Sequence, residues 1–532
     1  MNLRKSLAVF ALAAFSLTGC VDLEVVNPNA ADAERALSTP GDIEALIGGG
    51  FGTWWQSSAF STGPAPILMT MSNQHSATAA NFGMVEFSGW PRVPAQNQPA
   101  QVFSSQNSAN AWIWLYRAAA SVVDGLNALD GGVTLPPDQL ARARAYGYFV
   151  LGMAHGSAAL LYDRGYIYDP SIPVDEVQLA PYPEVMEAAL GYFDIAIQEA
   201  QGRNFTIPRT WMSVEVSAQE LIELAYSMRA RYRANVARTP AERDAVDWNA
   251  VISDVDNGIT TPFAIDVSSG SGFVSGTLSN TSRFGPWGQM SYQVLGMADT
   301  SGSYQRWLAL PPESRHPNLS PDQQSDPFLL ITPDQRFPSG ETIAEQQENP
   351  GTLFEITTRG GGFGAQWARP DRGTFRWSYY RYLANDQWQS VATRTTHPEV
   401  TLAEMRLLKA EGLYRTNRQG EAADLINVTR TAAGLSPTDA SGVNESCVPR
   451  LPNGECGDLF EMLKWELRLE TITQGLHLAP WYFHGRGWGD LVEGSFLHIP
   501  IPGRELELLG EPLYTFGGIG GDFAAPVGTY GF

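Results

Sequence analysis

The chain has 532 residues, and its 56 acidic side chains outnumber 35 Lys and Arg, giving a formal charge of −21 at pH 7. That balance excludes electrostatic binding to nucleic acid, whose phosphates it would repel, and adhesion to anionic lipid through a basic patch. Fifteen Trp, 19 Tyr and 24 Phe supply a large core, while 52 Gly and 35 Pro predict long irregular segments between elements.

Arg4 and Lys5 precede an apolar run over residues 7–17. That run falls short of the roughly 20 residues needed to span a bilayer. A charged start, a short apolar stretch and the small residues of Leu17-Thr18-Gly19-Cys20 read as a secretory signal over residues 1–19. The cysteine sits where the apolar run ends, so acylation of Cys20 is expected rather than an ordinary signal with a chance cysteine. Several acyl chains hold a protein to a membrane, whereas one binds marginally. No later stretch is long and apolar enough to cross a bilayer.

Residues 20–38 read as a tether and approach segment. Thr39 is placed to cap a helix, with Pro40 in its first turn and Asp42 near its positive end. Residues 56–106, rich in Ser, Asn, Gly, Pro and Gln, read as loops. Trp112, Leu115, Ala119, Val122, Val123, Leu126 and Leu129 fall at helical spacing, and Gly131-Gly132 ends that helix. Further helices are predicted from Pro137, over 182–200, from a Ser217 cap through Arg238, and from Pro240. Residues 39–259 are thus mostly helical, and 260–398 are loop-rich with short strands. Helices return over 399–475 as a hairpin joined around Asn417–Gly420 and a run over 458–473. An irregular tail covers 476–532. The paired helices resemble tetratricopeptide units, without a strict repeat.

Cys447 and Cys456 bound a short loop, "CVPRLPNGEC", in which Pro449, Pro452, Asn453 and Gly454 can fold the ends together. A disulfide is favoured there over free buried thiols, and a zinc site would want more ligands. Catalytic signatures are absent: no G-x-S-x-G elbow, H-E-x-x-H, P-loop lysine or G-x-G-x-x-G occurs. His477, His484 and His498 lie close in sequence but read as structural rather than metal-binding. Glu466 and Glu470 share a helix face; ion pairing with Lys464 or Arg468 is the ordinary reading, against acid/base work in a glycosidase. No catalytic residue, metal or cofactor is expected.

Several segments in order along the chain resemble the SusD/RagB family of outer-membrane lipoproteins. They are Cys20 with "NPN" (27–29), "ALSTPGDIEALIGGGFGTWW" (36–55) and "ARARAYGYFVLGMAHGSAALLYDRG" (141–165). "AEMRLLKAEGLYRTNRQGEAADLINVTRTAAGL" (403–435), "KWELRLETITQGLHLAPWYFHGRGWGDL" (464–491) and "LHIPIPGRELELLG" (497–510) complete the set. "LRLETITQG" departs from the "ELAFEG" common in the family, which puts that helix end in question. The resemblance implies one mainly α domain over 20–532, with tetratricopeptide-like helix pairs as scaffold, long irregular loops and a few short strands. It implies a non-enzymatic, lipid-anchored outer-membrane protein that binds an oligosaccharide and serves a SusC-like TonB-dependent transporter. A peptide ligand and an envelope protein–protein scaffold are the alternatives, with a hydrolase behind both.

Sugars stack their C–H faces on flat rings, so loop aromatics are the candidates for ligand contact. Trp54 and Trp55 end an early helix. Trp90 lies in "FSGWPRVPAQNQ" with Arg92, Asn97 and Gln98, and Trp287 and Tyr292 lie in "RFGPWGQMSYQ". Trp307, Trp367, Trp377 and Trp388 follow. Trp90 and Asn97 are the nearest matches to the aromatic and Asn that the family uses. Trp112 and Trp114, on a helix, read as core, and core packing is the competing role for any single loop Trp.

Overall fold

The computed structural model describes residues 39–77, 81–268, 270–281, 287–311, 328–356, 377–383 and 396–532. Cys20, Trp367 and Trp388 lie outside them. The described chain is mainly helical with a few short strands. α1 (Pro40–Gly48) begins where the sequence predicts: the Asp42 amide donates to the Thr39 hydroxyl, and Pro40 occupies the first turn. α2 (Gly50–Ala59) follows after a single residue.

Within 56–106 the structure differs from the expected loops. Ala65–Met71 form α3, and all seven residues are buried. A helix buried on every side shows no apolar stripe, so periodicity does not reveal it. A π turn over Phe103–Ser108 then leads into α4 (Ala109–Asp130), whose buried residues include the predicted stripe from Trp112 to Leu129.

α5 (Pro137–Leu161) packs along α4 and α6 (Tyr182–Ala200). Gly156 lets it approach α7 (Ala218–Asn235), since a Cβ there would fall 2.1 Å from the Tyr232 ring. Ser217 and Glu220 form a reciprocal capping box at the start of α7. α8 (Pro240–Asp244) and α9 (Trp248–Asp256) follow, with side-chain caps from Thr239 and Asp247. The hairpin of α10 (Leu402–Arg415) and α11 (Gln419–Ala432) turns through Asn417 at φ 61°, and α12 (Leu459–Glu470) packs against both arms. The expected irregular tail contains α13 (Pro480–Trp488), buried throughout, and α14 (Gly503–Leu509).

Strands are few. β1 (Phe263–Asp266) pairs antiparallel with β5 (Thr396–Val400). β2 (Gln289–Ser291), β3 (Phe354–Ile356) and β4 (Trp377–Tyr382) form an antiparallel sheet with β4 in the middle. Met290, Phe354, Ile356, Tyr380 and Tyr382 belong to a second core cluster with Tyr292, Trp307, Trp465 and Trp481. The larger cluster draws on α1 to α7 and α9 to α14. Among the described residues no helix is long and apolar enough to cross a membrane.

The loop bounded by Cys447 and Cys456 is closed by a disulfide. It is bolted to the irregular half: the Arg450 amide donates to Met297 O at 2.8 Å, Arg450 Nη1 to Thr300 O at 2.8 Å, and Gln305 Nε2 to Leu451 O at 2.9 Å.

Candidate functional site

Most of the aromatic candidates serve the core. Trp54 is 1% exposed and donates to Ser157 Oγ at 3.0 Å, and Trp55 donates to Phe273 O at 3.0 Å. Trp287, also 1% exposed, packs with Ala77 and Met84 and donates to Asn81 Oδ1 at 2.8 Å. Tyr292 and Trp307 are buried together around Phe328, and the Tyr292 hydroxyl donates to Phe328 O at 3.0 Å. In this structure none of these rings is open to a ligand. They fill volume that the large aromatic content had to fill.

The Asn97 amide is likewise engaged within the protein. Its Nδ2 donates to Ile501 O at 3.0 Å and its Oδ1 accepts from the Tyr514 amide at 2.9 Å, so it stitches its loop to the tail. Arg92 is buried and donates to Met71 O and Phe87 O. Trp90 alone of the first choices is half-buried, against the second core cluster. Tyr292 and Trp307 thus meet within that cluster and Trp90 packs against it, while Trp54 and Trp287 lie in two others. Trp377 heads β4.

The chemistry weighed for Glu466 and Glu470 is absorbed by ion pairing, though with a different partner. Arg336 Nη1 donates to Glu466 Oε2 at 2.7 Å and lies 3.6 Å from Glu470. Lys464 and Arg468 pair instead with Asp490. His484 and His498 are buried, and burial lowers both their pKa values, His498 to about 2. Among the described residues no group of three His, Cys, Asp or Glu side chains is placed to hold a metal ion.

The surface offers a site that the loop aromatics did not. Phe60, just past α2, is 42% exposed, and its ring centroid lies 5.9 Å from that of half-buried Trp114 on α4. Ile113 beside it is 43% exposed. The Phe60 turn is pinned from behind: Thr277 Oγ1 donates to Phe60 O at 3.1 Å and Ser275 Oγ to Ala59 O at 3.2 Å. It is pinned from the side too. Asn107 Nδ2 donates to Gly63 O at 3.0 Å and Asn110 Nδ2 to Thr62 Oγ1 at 2.7 Å. Both amides lie where the π turn passes into α4, and π turns recur at functional sites. Arg117, one turn past Trp114, lies over its ring at 5.2 Å. The result is a pinned surface patch of exposed Phe60, half-buried Trp114, Thr62 and Asn110, and the exposed Arg117 guanidinium.

Trp114 was legible in principle. It stands two residues from Trp112, about 200° around a helix, and so off the buried stripe. Phe60 carries no such signal, since its exposure depends on contacts from residues 275–281.

No protein-family model matches the chain, and no curated protein sequence matches it. Solved structures do. A SusD homolog from Parabacteroides distasonis superimposes over 88% of this chain and 93% of its own, with a TM-score of 0.55 at 11% identity. Surface glycan-binding protein A from Bacteroides thetaiotaomicron does so over 90% of this chain and 99% of its own, with a TM-score of 0.50 at 12% identity. At such identities the likeness is one of architecture, and the fold of this chain is that of the SusD-like proteins.

Proposed function

We propose that this protein is a lipid-anchored outer-membrane protein that binds an oligosaccharide and passes it to a SusC-like TonB-dependent transporter. The observation that carries the reading is the pinned platform of Phe60 and Trp114. An exposed ring and a half-buried one, held from behind, can stack a sugar without further ordering, and fixed geometry lowers the entropic cost of binding. The half-buried Thr62 hydroxyl and Asn110 amide border the rings and suit the polar edges of a sugar, while buried Asn107 holds the turn beneath them. A neighbour of the same fold is named as a glycan-binding protein, which favours the sugar over a peptide. Trp90 stays in the proposal as a flanking ring, because it is half-exposed. The anchor rests on Cys20.

Calorimetry with oligosaccharide and peptide panels tests the ligand, with Trp114→Ala as the control for the platform. Saccharide binding that Trp114→Ala weakens is expected; peptide binding alone would replace the reading. Fatty-acid labelling lost in Cys20→Ala tests the anchor, and co-purification of a TonB-dependent transporter tests the partner.

A further inference from the structure

Arg117 is the feature of the platform that neutral sugar binding does not require. It is exposed, lies over the Trp114 ring at 5.2 Å, and has no ion-pair partner among the described residues. In a chain this acidic, surface arginines are commonly tied to carboxylates. Arg142 pairs with Glu44, Arg144 with Asp130, Arg164 with Glu511 and Arg229 with Asp194. Exposed Arg203, Arg306 and Arg504 also lack a carboxylate partner among the described residues, but none of them lies over a ring there. The nearest acid further along α4 is Asp124, seven residues on and so about 10 Å away along the axis.

The spacing matters. Asn110, Trp114 and Arg117 stand at i, i+4 and i+7, on one face of α4. A guanidinium resting on an indole is held in a limited set of orientations and keeps its N–H edge available. That edge matches a planar carboxylate or a sulfate through two parallel hydrogen bonds. A sugar ring stacked on Phe60 and Trp114 would bring a substituent at its rim toward Arg117. A hydroxyl there gains one ordinary hydrogen bond, while an anionic group gains a charge-assisted pair.

Charge makes the same point from the other side. With a formal charge of −21, the protein repels anionic ligands at long range, and that repulsion is screened by salt. An acidic ligand can be held only where a cation is locally uncompensated and close enough to act inside the screening distance. Among the described residues Arg117 meets that condition, beside exposed Phe60 and half-buried Trp114.

Building on the glycan reading, we propose that the Phe60–Trp114 platform takes an acidic oligosaccharide. Its ring stacks on the aromatics, and its carboxylate or sulfate pairs with Arg117. Titration calorimetry can use matched pairs: an oligogalacturonide with its methyl ester, and a sulfated with an unsulfated galactan oligosaccharide. The expected result is that one anionic member binds about tenfold more tightly than its neutral counterpart, as a charge-assisted pair would give. The pair that shows the preference identifies the anion. Arg117→Gln should bring the two members to within about twofold of one another, and Arg117→Lys should retain part of the preference, because the charge remains but the fork is lost. Raising salt from about 50 to about 500 mM should erode the preference in the wild type.

Equal binding of charged and neutral members overturns the proposal while leaving the glycan reading in place. So does a preference that survives Arg117→Gln with an unchanged melting temperature. If the wild type binds no saccharide of either kind, the glycan reading falls, and the inference falls with it.

Discussion

Arg243 Nη2 donates to Glu411 Oε2 at 2.6 Å, and neither side chain is exposed at all. The pair joins α8 to α10 across 168 residues of sequence. Glu411 Oε1 also accepts from Arg243 Nε at 2.8 Å, Arg415 Nε at 2.9 Å and Trp488 Nε1 at 3.1 Å. One carboxylate thus ties together α8, α10 and α13. Glu411→Gln keeps the shape but leaves Arg243 without its counter-charge. A stability loss of about 3–5 kcal/mol is expected by chemical denaturation. Replacing both residues together, as in Arg243→Met with Glu411→Leu, should recover much of that loss. A single substitution costing under about 1 kcal/mol would show that the pair contributes only packing.

Acid should unfold this protein in two stages. Burial lowers the pKa of His75 to about 3, of His155 to about 4, of His397 to about 3 and of His498 to about 2. His484 is also lowered by burial. These groups stay neutral in the fold but charge once unfolded. Their contribution is complete above the ordinary value of 6.5 and is lost as pH falls below it. Each costs about 1.4 kcal/mol per pH unit in that window. Glu399, which burial pushes up to about 7, takes up a proton in the fold and offsets one of them. Glu411 acts later. Burial alone would raise it, but Arg243 holds it at about 2, so its contribution is lost only as pH falls below about 4.5. Melting temperature against pH should therefore fall steeply from about 6.5 downward. His498→Phe should flatten the first stage by roughly one proton. A melting temperature unchanged between pH 7 and pH 5 would remove the histidines from the account.

The contrast between α4 and α3 shows what the sequence carried. The α4 stripe is one-sided, so its period is visible, and the Thr39 and Ser217 caps are local chemistry that a short window reveals. α3 and α13 are buried on every side, which erases the period that a reader needs. The site was legible in composition but not in placement. Trp287 and Asn97 are loop-like in their local text and Trp54 reads as the end of a helix, yet each is fixed by a residue at least 100 positions away. Such contacts leave no mark at short range. Arg336, the partner of Glu466, was equally out of reach at 130 positions.

Reduction of the Cys447–Cys456 bond should loosen the junction between the helical hairpin and the irregular half, because Arg450 and Leu451 inside that loop make its contacts. Cross-linking a loop this short contributes about 2–3 kcal/mol, chiefly by restricting the unfolded chain. A reductant, or Cys447→Ser with Cys456→Ser, should lower the denaturation midpoint accordingly. Peptide mapping without reduction should recover the two cysteines joined. Two free thiols in the native protein would contradict the structure.

The last expectation separates surface rings from core rings. Trp114 is half-buried beside an exposed Phe60, whereas Trp287 is enclosed and hydrogen-bonded to Asn81. Trp287→Ala removes a filled volume and a satisfied donor, so a loss of about 3–5 kcal/mol is expected whatever the ligand. Trp114→Ala removes a ring that already faces water on one side and should change stability by less than about 1 kcal/mol. Binding should respond in the opposite sense. Losing the stacking surface should weaken saccharide affinity by about 1–2 kcal/mol, close to tenfold, as burial of one aromatic face implies. Trp90→Ala should fall between, because that ring packs on the second core cluster while staying half-exposed. Melting curves and calorimetry on the three variants give the comparison. If Trp114→Ala melts several degrees early, the ring belongs to the core of α4; if it binds saccharide as the wild type does, the ligand lies elsewhere.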